Sequence, residues 1–141
     1  AEDIAAGRVK GLVVVGEDPL GDGLLGTAAL EGLEALVVLD SWKSPTAEAA
    51  HVAIPICGYG EEEGVYVNFE GRAQRARQAL KPQGETEPAW SVLAELGRRF
   101  GMEGAYPSSA AVLQEIAEKV PAFKGITYRA LGPLGVVLKG A

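Results

Sequence analysis

The sequence contains one cysteine and one histidine in 141 residues, and this scarcity excludes several kinds of site. The single thiol, Cys57, cannot form a disulfide within the chain, and we interpret it as a small buried hydrophobe rather than a nucleophile. An iron–sulfur cluster or a structural zinc ion needs several ligands. His51 has no partner at metal-ligand spacing, so we expect a solvated or hydrogen-bonded histidine. We predict no catalytic residue and no metal site in these residues.

Long apolar runs and an excess of basic residues are also missing. The longest apolar stretches, such as residues 35–39, are far shorter than the roughly twenty residues of a membrane-spanning helix. The net charge is −6, so a nucleic acid would need a local basic cluster, and only residues 72–81 offer one. Residues 1–10 are charged and lack the apolar core of a signal peptide. We therefore predict no direct membrane span and no nucleic-acid partner.

Short β-branched runs alternate with helical spacing in the first part of the chain. Residues 11–15 and 35–39 have the pattern of buried parallel strands, and residues 24–33 carry apolar side chains at helical spacing between them. A short helix at residues 46–50 and a third strand at residues 52–56 follow. This pattern predicts a βαβ unit with a right-handed crossover.

The rest of the chain predicts a hairpin and two helices. Residues 65–67 alternate in polarity, and residues 73–78 can return antiparallel across a turn at Glu70-Gly71. Residues 88–100 and 109–120 each place apolar side chains on one helical face.

The expected architecture is therefore an α/β fold with a partial open parallel sheet, a small antiparallel hairpin and two C-terminal helices. We expect residues 1–81 to form the α/β part with the hairpin. Residues 82–141 would form a helical extension that packs on it.

The candidate ligand-binding residues lie where the first two strands end. Gly16-Glu17-Asp18-Pro19 joins a strand to a helix, which is where open α/β sheets hold phosphates. The loop is not a full dinucleotide fingerprint, and its acidic side chains would repel a phosphate unless backbone N–H groups outweigh them, so a tight turn is the alternative. Asp40 ends the second strand, where a carboxylate reads a ribose or a purine edge; a simple loop residue is the alternative.

Several blocks of the sequence together resemble the molybdopterin oxidoreductase family. The most specific block is Glu63-Gly64-Val65-Tyr66-Val67-Asn68, followed by Glu70-Gly71-Arg72 and Gln74. The Gly-Glu-Asp-Pro loop, the Thr-Ala segment at residues 46–55 and the stretch at residues 121–128 are also similar to the family. The likeness spans nearly the whole chain.

The resemblance implies a role for this region within a larger subunit. In family members the corresponding region is the second, Rossmann-like half of a split α/β domain that cradles the guanosine end of a molybdopterin cofactor. The metal ligand and the cluster cysteines lie elsewhere. If such a cofactor is bound, the resemblance implies Gly16, Asp18 and Asp40 as its contacts, and molybdopterin guanine dinucleotide as the ligand.

Two departures from the family pattern direct the prediction to one branch. Ser44-Pro45 stands where Thr-Glu is common, and His51 stands where the family has Asp. Both alter polar groups near the expected cleft, which favours a structural domain without its own cofactor, as in the large iron–sulfur subunit of NADH:quinone oxidoreductase (respiratory complex I). That branch implies iron–sulfur clusters elsewhere in the subunit. It also implies other subunits of the peripheral arm as partners and a position on the cytoplasmic side of the membrane. The alternative is a catalytic fragment of a formate dehydrogenase or nitrate reductase.

Overall fold

The computed structural model describes residues 2–103 and 106–138. The chain divides into two compact units, of which the first ends at Cys57 and the second begins at Gly58. Each unit contains a three-stranded sheet, parallel in the first and antiparallel in the second.

The first unit is a parallel sheet with short helices. Its strands lie in the order β1-β2-β3, so that the middle strand of the sheet is β2. In chain order the elements are α1 (Glu2–Ala5), β1 (Gly11–Val15), α2 (Thr27–Glu31), β2 (Ala35–Asp40), α3 (Pro45–Glu48) and β3 (Val52–Pro55).

The second unit is an antiparallel sheet with helices from the C-terminal part. Its strands lie in the order β4-β5-β6. The elements are β4 (Gly64–Val67), β5 (Arg72–Ala76), α4 (Ala89–Arg99), α5 (Ser109–Lys119), a 3-10 turn (Pro121–Phe123), α6 (Tyr128–Leu131) and β6 (Val136–Val137).

The predicted fold class is confirmed, and the differences lie at element ends and in short elements that the sequence did not predict. The helix expected over residues 24–33 is confined to α2, because Gly26 has extended backbone angles before it and Gly32 follows it. The sequence reading missed α1 and α6, which have only four residues each. The sequence likewise predicted no strand at β6.

The predicted division of the chain at residue 81 lies inside the second unit. The reason is the sheet itself, since β5 pairs with β4 on one side and with β6 on the other. The hairpin therefore belongs with the C-terminal helices rather than with the parallel sheet. Residues 104, 105 and 139–141 of the predicted extension lie outside the described residues.

One face of the parallel sheet is covered and carries the core of the first unit. Val14 and Val38 are neighbours in the register of β1 and β2, and both are buried against Leu30 and Leu33. The opposite face is only partly covered, and Val13 on β1 remains 46% exposed. Parallel sheets are normally buried on both faces.

The core of the second unit forms around β5. Ala73 is fully buried and packs with Leu113 of α5 and Leu131 of α6. The chain reaches β6 through Gly135, which has φ +71° and lies against the Ala73 carbonyl. An added Cβ at Gly135 would lie 2.4 Å from that carbonyl oxygen, so the turn requires glycine for two separate reasons.

We predict that Gly135→Ala destabilises the protein more than Gly84→Ala. Both glycines have positive φ, but a Cβ at Gly84 would meet nothing within 4 Å. The backbone conformation alone costs a side chain about 1–2 kcal/mol, and overpacking adds about 1–3 kcal/mol at Gly135. Urea unfolding of the two variants measures the difference. Equal losses of unfolding free energy in the two variants would show that the contact with the Ala73 carbonyl does not contribute to the effect.

Candidate functional site

The carboxyl ends of the parallel strands frame a cleft in the first unit. A cavity of about 270 Å³ lies at the ends of β2 and β3, and its walls include Asp40, Trp42, Lys43 and Pro55. Ligands of open α/β sheets bind at this edge, beyond the carboxyl ends of the strands. Asp40 therefore lies in the wall of a cavity at the sheet edge where open α/β sheets bind ligands, and we call this cavity the crevice.

Asp18 is directed at the first turn of α3. Its Oδ1 atom accepts hydrogen bonds from the Thr46 N–H at 3.0 Å, the Thr46 hydroxyl at 2.5 Å and the Gly21 N–H at 3.0 Å. Thr46 is fully buried, and its hydroxyl oxygen accepts a bond from the Leu20 N–H at 3.0 Å. One carboxylate oxygen thus ties the loop after β1 to the start of α3, and we name this network the Asp18–Thr46 latch.

The latch favours the ionised form of Asp18. The hydrogen bond from the Thr46 hydroxyl, helped by the N–H groups of Gly21 and Thr46, lowers the pKa of the Asp18 carboxyl below its ordinary value in spite of partial desolvation. Gly21 is needed beside it, because an added Cβ there would lie 1.9 Å from Asp18 Oδ2.

Gly16 turns the chain out of β1. It has φ +64°, which favours glycine, and its N–H donates to the Leu39 carbonyl at 2.8 Å. That amide is therefore used within the sheet. The prediction that Gly16 and Asp18 contact a cofactor stays a prediction, and the role that the structure gives Asp18 is to position the loop.

Asp40 organises the loop that follows β2. Its Oδ1 accepts from the Trp42 N–H at 3.1 Å, and its Oδ2 accepts from the Ser44 hydroxyl at 2.9 Å. Ser44 in turn caps α3 by accepting from the Ala47 N–H at 3.3 Å. Each carboxylate oxygen has room for a further bond, because an ionised carboxylate offers about four acceptor positions. The side chain of Trp42 is 80% exposed.

His51 joins the strands rather than entering the crevice. The Nδ1 atom of its imidazole accepts a hydrogen bond from the Leu36 N–H at 2.9 Å. The backbone N–H of His51 donates to the Leu36 carbonyl at 2.9 Å. The expectation of a hydrogen-bonded histidine is confirmed. Cys57 is buried, which fits the expectation of a small packed side chain.

The sequence did not predict the role of Thr46, whose N–H and hydroxyl both donate to Asp18 in the latch. The Thr-Ala segment was predicted as a short helix and noted as part of the family resemblance, without a role for the Thr46 side chain. Ser and Thr near helix starts are common caps, and here the capping residue is Ser44 while Thr46 is the residue that bonds Asp18. Only the three-dimensional proximity of two loops 28 residues apart distinguishes the two roles.

Within residues 2–103 and 106–138, no group of three or more His, Cys, Asp or Glu side chains is placed to hold a metal ion. In the same ranges, no helix has the length and apolar character needed to cross a bilayer.

Comparison with known proteins decides the family. The family model described as molybdopterin oxidoreductase matches residues 3–99, which include the crevice, the latch and the hairpin. The chain belongs to the molybdopterin oxidoreductase family.

Relatives in this family are much longer than the chain. It is 33% identical over 136 residues to formate dehydrogenase H of Escherichia coli, covering 94% of this chain and 19% of that protein. It is 35% identical to the probable oxidoreductase YjgC of Bacillus subtilis, covering 92% of this chain and 14% of that protein. It is 37% identical to the NADPH-Fe(3+) oxidoreductase subunit alpha of Geobacter sulfurreducens, covering 89% and 15%. The chain thus spans less than a fifth of these relatives.

A solved structure supports the fold of this family member independently. Acetylene hydratase from Pelobacter acetylenicus superposes with a TM-score of 0.67 at 20% identity, over 92% of this chain and 19% of that one. At this identity the likeness establishes the fold alone.

We predict that Asp18→Asn lowers the melting temperature near pH 7 and that the difference from wild type shrinks on acidification. The pKa of Asp18 is lower in the folded state than its ordinary 3.8. Its stabilising contribution is therefore fully present well above pH 3.8, and it is lost as the pH falls through the folded pKa. Asp22→Asn, an exposed change in the same loop, is the matched control. Thermal unfolding between pH 7 and pH 3 measures both, and a pH-independent difference would contradict the latch.

Proposed function

We propose that this chain is part of the catalytic subunit of a formate dehydrogenase-like molybdenum enzyme, in which it helps to hold the guanosine end of a molybdopterin guanine dinucleotide. The observation that carries this proposal is Asp40 in the wall of the crevice at the strand ends of a molybdopterin oxidoreductase fold. Relatives named formate dehydrogenase support the substrate class.

The residues at the crevice fit a guanine nucleoside. A guanine edge presents two N–H donors, and a carboxylate such as Asp40 is an acceptor-only group with unused positions beside those that bond Trp42 and Ser44. The exposed Trp42 ring offers an apolar surface next to Asp40. Lys43 supplies a cation in the same wall, although it also pairs with Glu48 at 3.0 Å.

The cofactor, when bound, supplies two-electron redox chemistry at its metal, which the family resemblance places outside these residues. The task of this chain would be to bind and orient the nucleotide end. Asp40 would accept from the base, while the latch and the Ser44 cap would keep the two loops in place. Such support from surrounding residues is what holds a binding site in productive geometry.

The second candidate is the structural domain of the NADH:quinone oxidoreductase large subunit, in the peripheral arm on the cytoplasmic side of the membrane. The two departures that favoured it are accommodated without damage to the crevice. Ser44 still caps α3, with Pro45 at the first helical position, and His51 Nδ1 still accepts the Leu36 N–H, a role that an aspartate could also fill. The formate dehydrogenase-like relatives support the first candidate further.

The partly open face of the parallel sheet fits a chain that belongs to a larger body. Val13 and Val52 lie in one register row through Val37, and both are about half exposed. A parallel sheet of this kind is covered on both faces in stable proteins. We infer that the remainder of the parent polypeptide supplies the second cover.

We predict that Asp40→Asn in the intact parent enzyme lowers cofactor occupancy several-fold. An asparagine amide places an N–H group opposite the N–H donors of guanine. One acceptor is lost, and two donors face each other without a hydrogen bond. Molybdenum or tungsten per polypeptide and GMP released by acid hydrolysis are the two measurements. Asp22→Asn is the control and should retain full occupancy.

The outcomes separate the two candidates. Stoichiometric metal and GMP in the wild type, with both reduced in Asp40→Asn, supports the cofactor-holding function. Wild-type protein that contains neither metal nor pterin would exclude it and favour the structural domain. Full occupancy in Asp40→Asn would show that the base is read elsewhere.

A further inference from the structure

A second cavity lies wholly within the second unit, between the hairpin and the helices. It has a volume of about 300 Å³, and we name it the hairpin cavity. Small-molecule sites occupy roughly 300–1,000 Å³, so this one is at the lower limit and suits a single side chain better than a cofactor. The residues of its wall that matter here are Glu62, Tyr66, Trp90, Ser109 and Tyr128.

Aromatic rings and carboxylates meet in this wall. Glu62 and Glu63 enter it from the residues just before β4, and Trp90 enters from the first turn of α4. Tyr128 is fixed from α6, because its hydroxyl donates to the Ser109 hydroxyl at 2.9 Å. A carboxylate beside aromatic faces is the environment that organic cations prefer.

The protein already uses this environment once for one of its own arginines. The guanidinium of Arg75 lies 4.4 Å from the centroid of the Tyr128 ring, and its Nε donates to Glu63 at 2.9 Å. Both Tyr128 and Glu63 belong to the wall of the hairpin cavity. One carboxylate and one ring are therefore satisfied by an internal cation.

Glu62 lacks such a cation. Its only hydrogen bond within the described ranges comes from the Tyr66 hydroxyl at 3.3 Å, and it forms no ion pair there. Partial burial raises the pKa of the Glu62 carboxyl, and burial likewise raises the pKa of Tyr66. A carboxylate that loses hydration without gaining a cation is destabilised, and a cation placed beside it would reverse that effect.

We propose that the hairpin cavity receives an arginine side chain from a polypeptide segment outside these 141 residues. The guanidinium would pair with Glu62 and lie against the ring of Trp90 or Tyr66, as Arg75 does with Glu63 and Tyr128. Arginine suits the site because its planar group both stacks on rings and forks to a carboxylate. The chain spans only 14 to 19% of its relatives, which therefore contain ample sequence to supply such a side chain.

The fluorescence of Trp90 provides a direct test. Trp42→Phe leaves Trp90 as the only tryptophan in the chain. In this background the 141-residue chain, whose cooperative unfolding in urea is confirmed first, is titrated with N-acetyl-arginine amide and, separately, with N-acetyl-citrulline amide, which has the same shape without the charge. We expect a saturable change in Trp90 emission with the arginine compound, and at least a five-fold weaker response with the citrulline compound.

Matched variants assign the response to Glu62. Glu62→Gln should weaken binding of N-acetyl-arginine amide at least five-fold, whereas Glu85→Gln, an equal loss of charge at an exposed residue outside the cavity, should leave it unchanged. An equal response to the citrulline compound would overturn the proposal, as would unchanged binding in Glu62→Gln. The absence of any saturable change in the wild-type background would also overturn it.

Discussion

The hydrogen bonds between the Asp18 carboxylate and Thr46 are the constraint on which the arrangement of the candidate site depends. The loop after β1 and the loop after β2 are separate segments, and backbone pairing alone holds only their strands together. A single carboxylate oxygen of Asp18 accepts hydrogen bonds from both the N–H and the hydroxyl of Thr46. The hydroxyl oxygen of Thr46 accepts a hydrogen bond from a backbone N–H of the first loop. A buried hydroxyl that both donates and accepts a hydrogen bond fixes the direction of its neighbours in a way that apolar contacts do not. The edge of the sheet that carries the crevice is thereby shaped by hydrogen bonds within the chain.

The same helix turn is fixed from a second direction. Asp40 accepts from Ser44, and Ser44 caps α3, so two carboxylates at the ends of neighbouring strands both act on the first turn of one short helix. The two carboxylates differ in their hydrogen bonds and in their surroundings. Asp18 accepts three intramolecular hydrogen bonds through Oδ1. Asp40 accepts one through each oxygen and lies in the wall of the cavity beside an exposed Trp42. This contrast supports our proposal that the first carboxylate positions the loops and that the second recognises the ligand.

Local sequence patterns predicted most of the strands and helices. Features that depend on contacts between segments distant in the sequence were not predicted. Valine runs, apolar side chains at helical spacing and the Glu70-Gly71 turn are local signals, and the strands and helices that they predicted are present. A two-residue strand such as β6 carries no periodicity, because it is defined by its partner Arg72-Ala73 more than by its own residues. At the site, Asp40 could be inferred from its place at a strand end, but the direction of the Asp18 side chain depends on Thr46, which is distant in sequence. The branch of the family was not fixed by the two departures, since Ser44-Pro45 and His51 preserve the local bonding.

The most direct test of the account is the structure of the intact parent protein with its cofactor present, in which the distance from the Asp40 carboxylate to the nearest ring or amino nitrogen of guanine is measured. The account predicts a hydrogen bond of at most about 3.2 Å at Asp40, with the Asp18 carboxylate still bonded to Thr46. A guanine bound elsewhere, or a crevice filled by another segment of protein in an enzyme without cofactor, would contradict it.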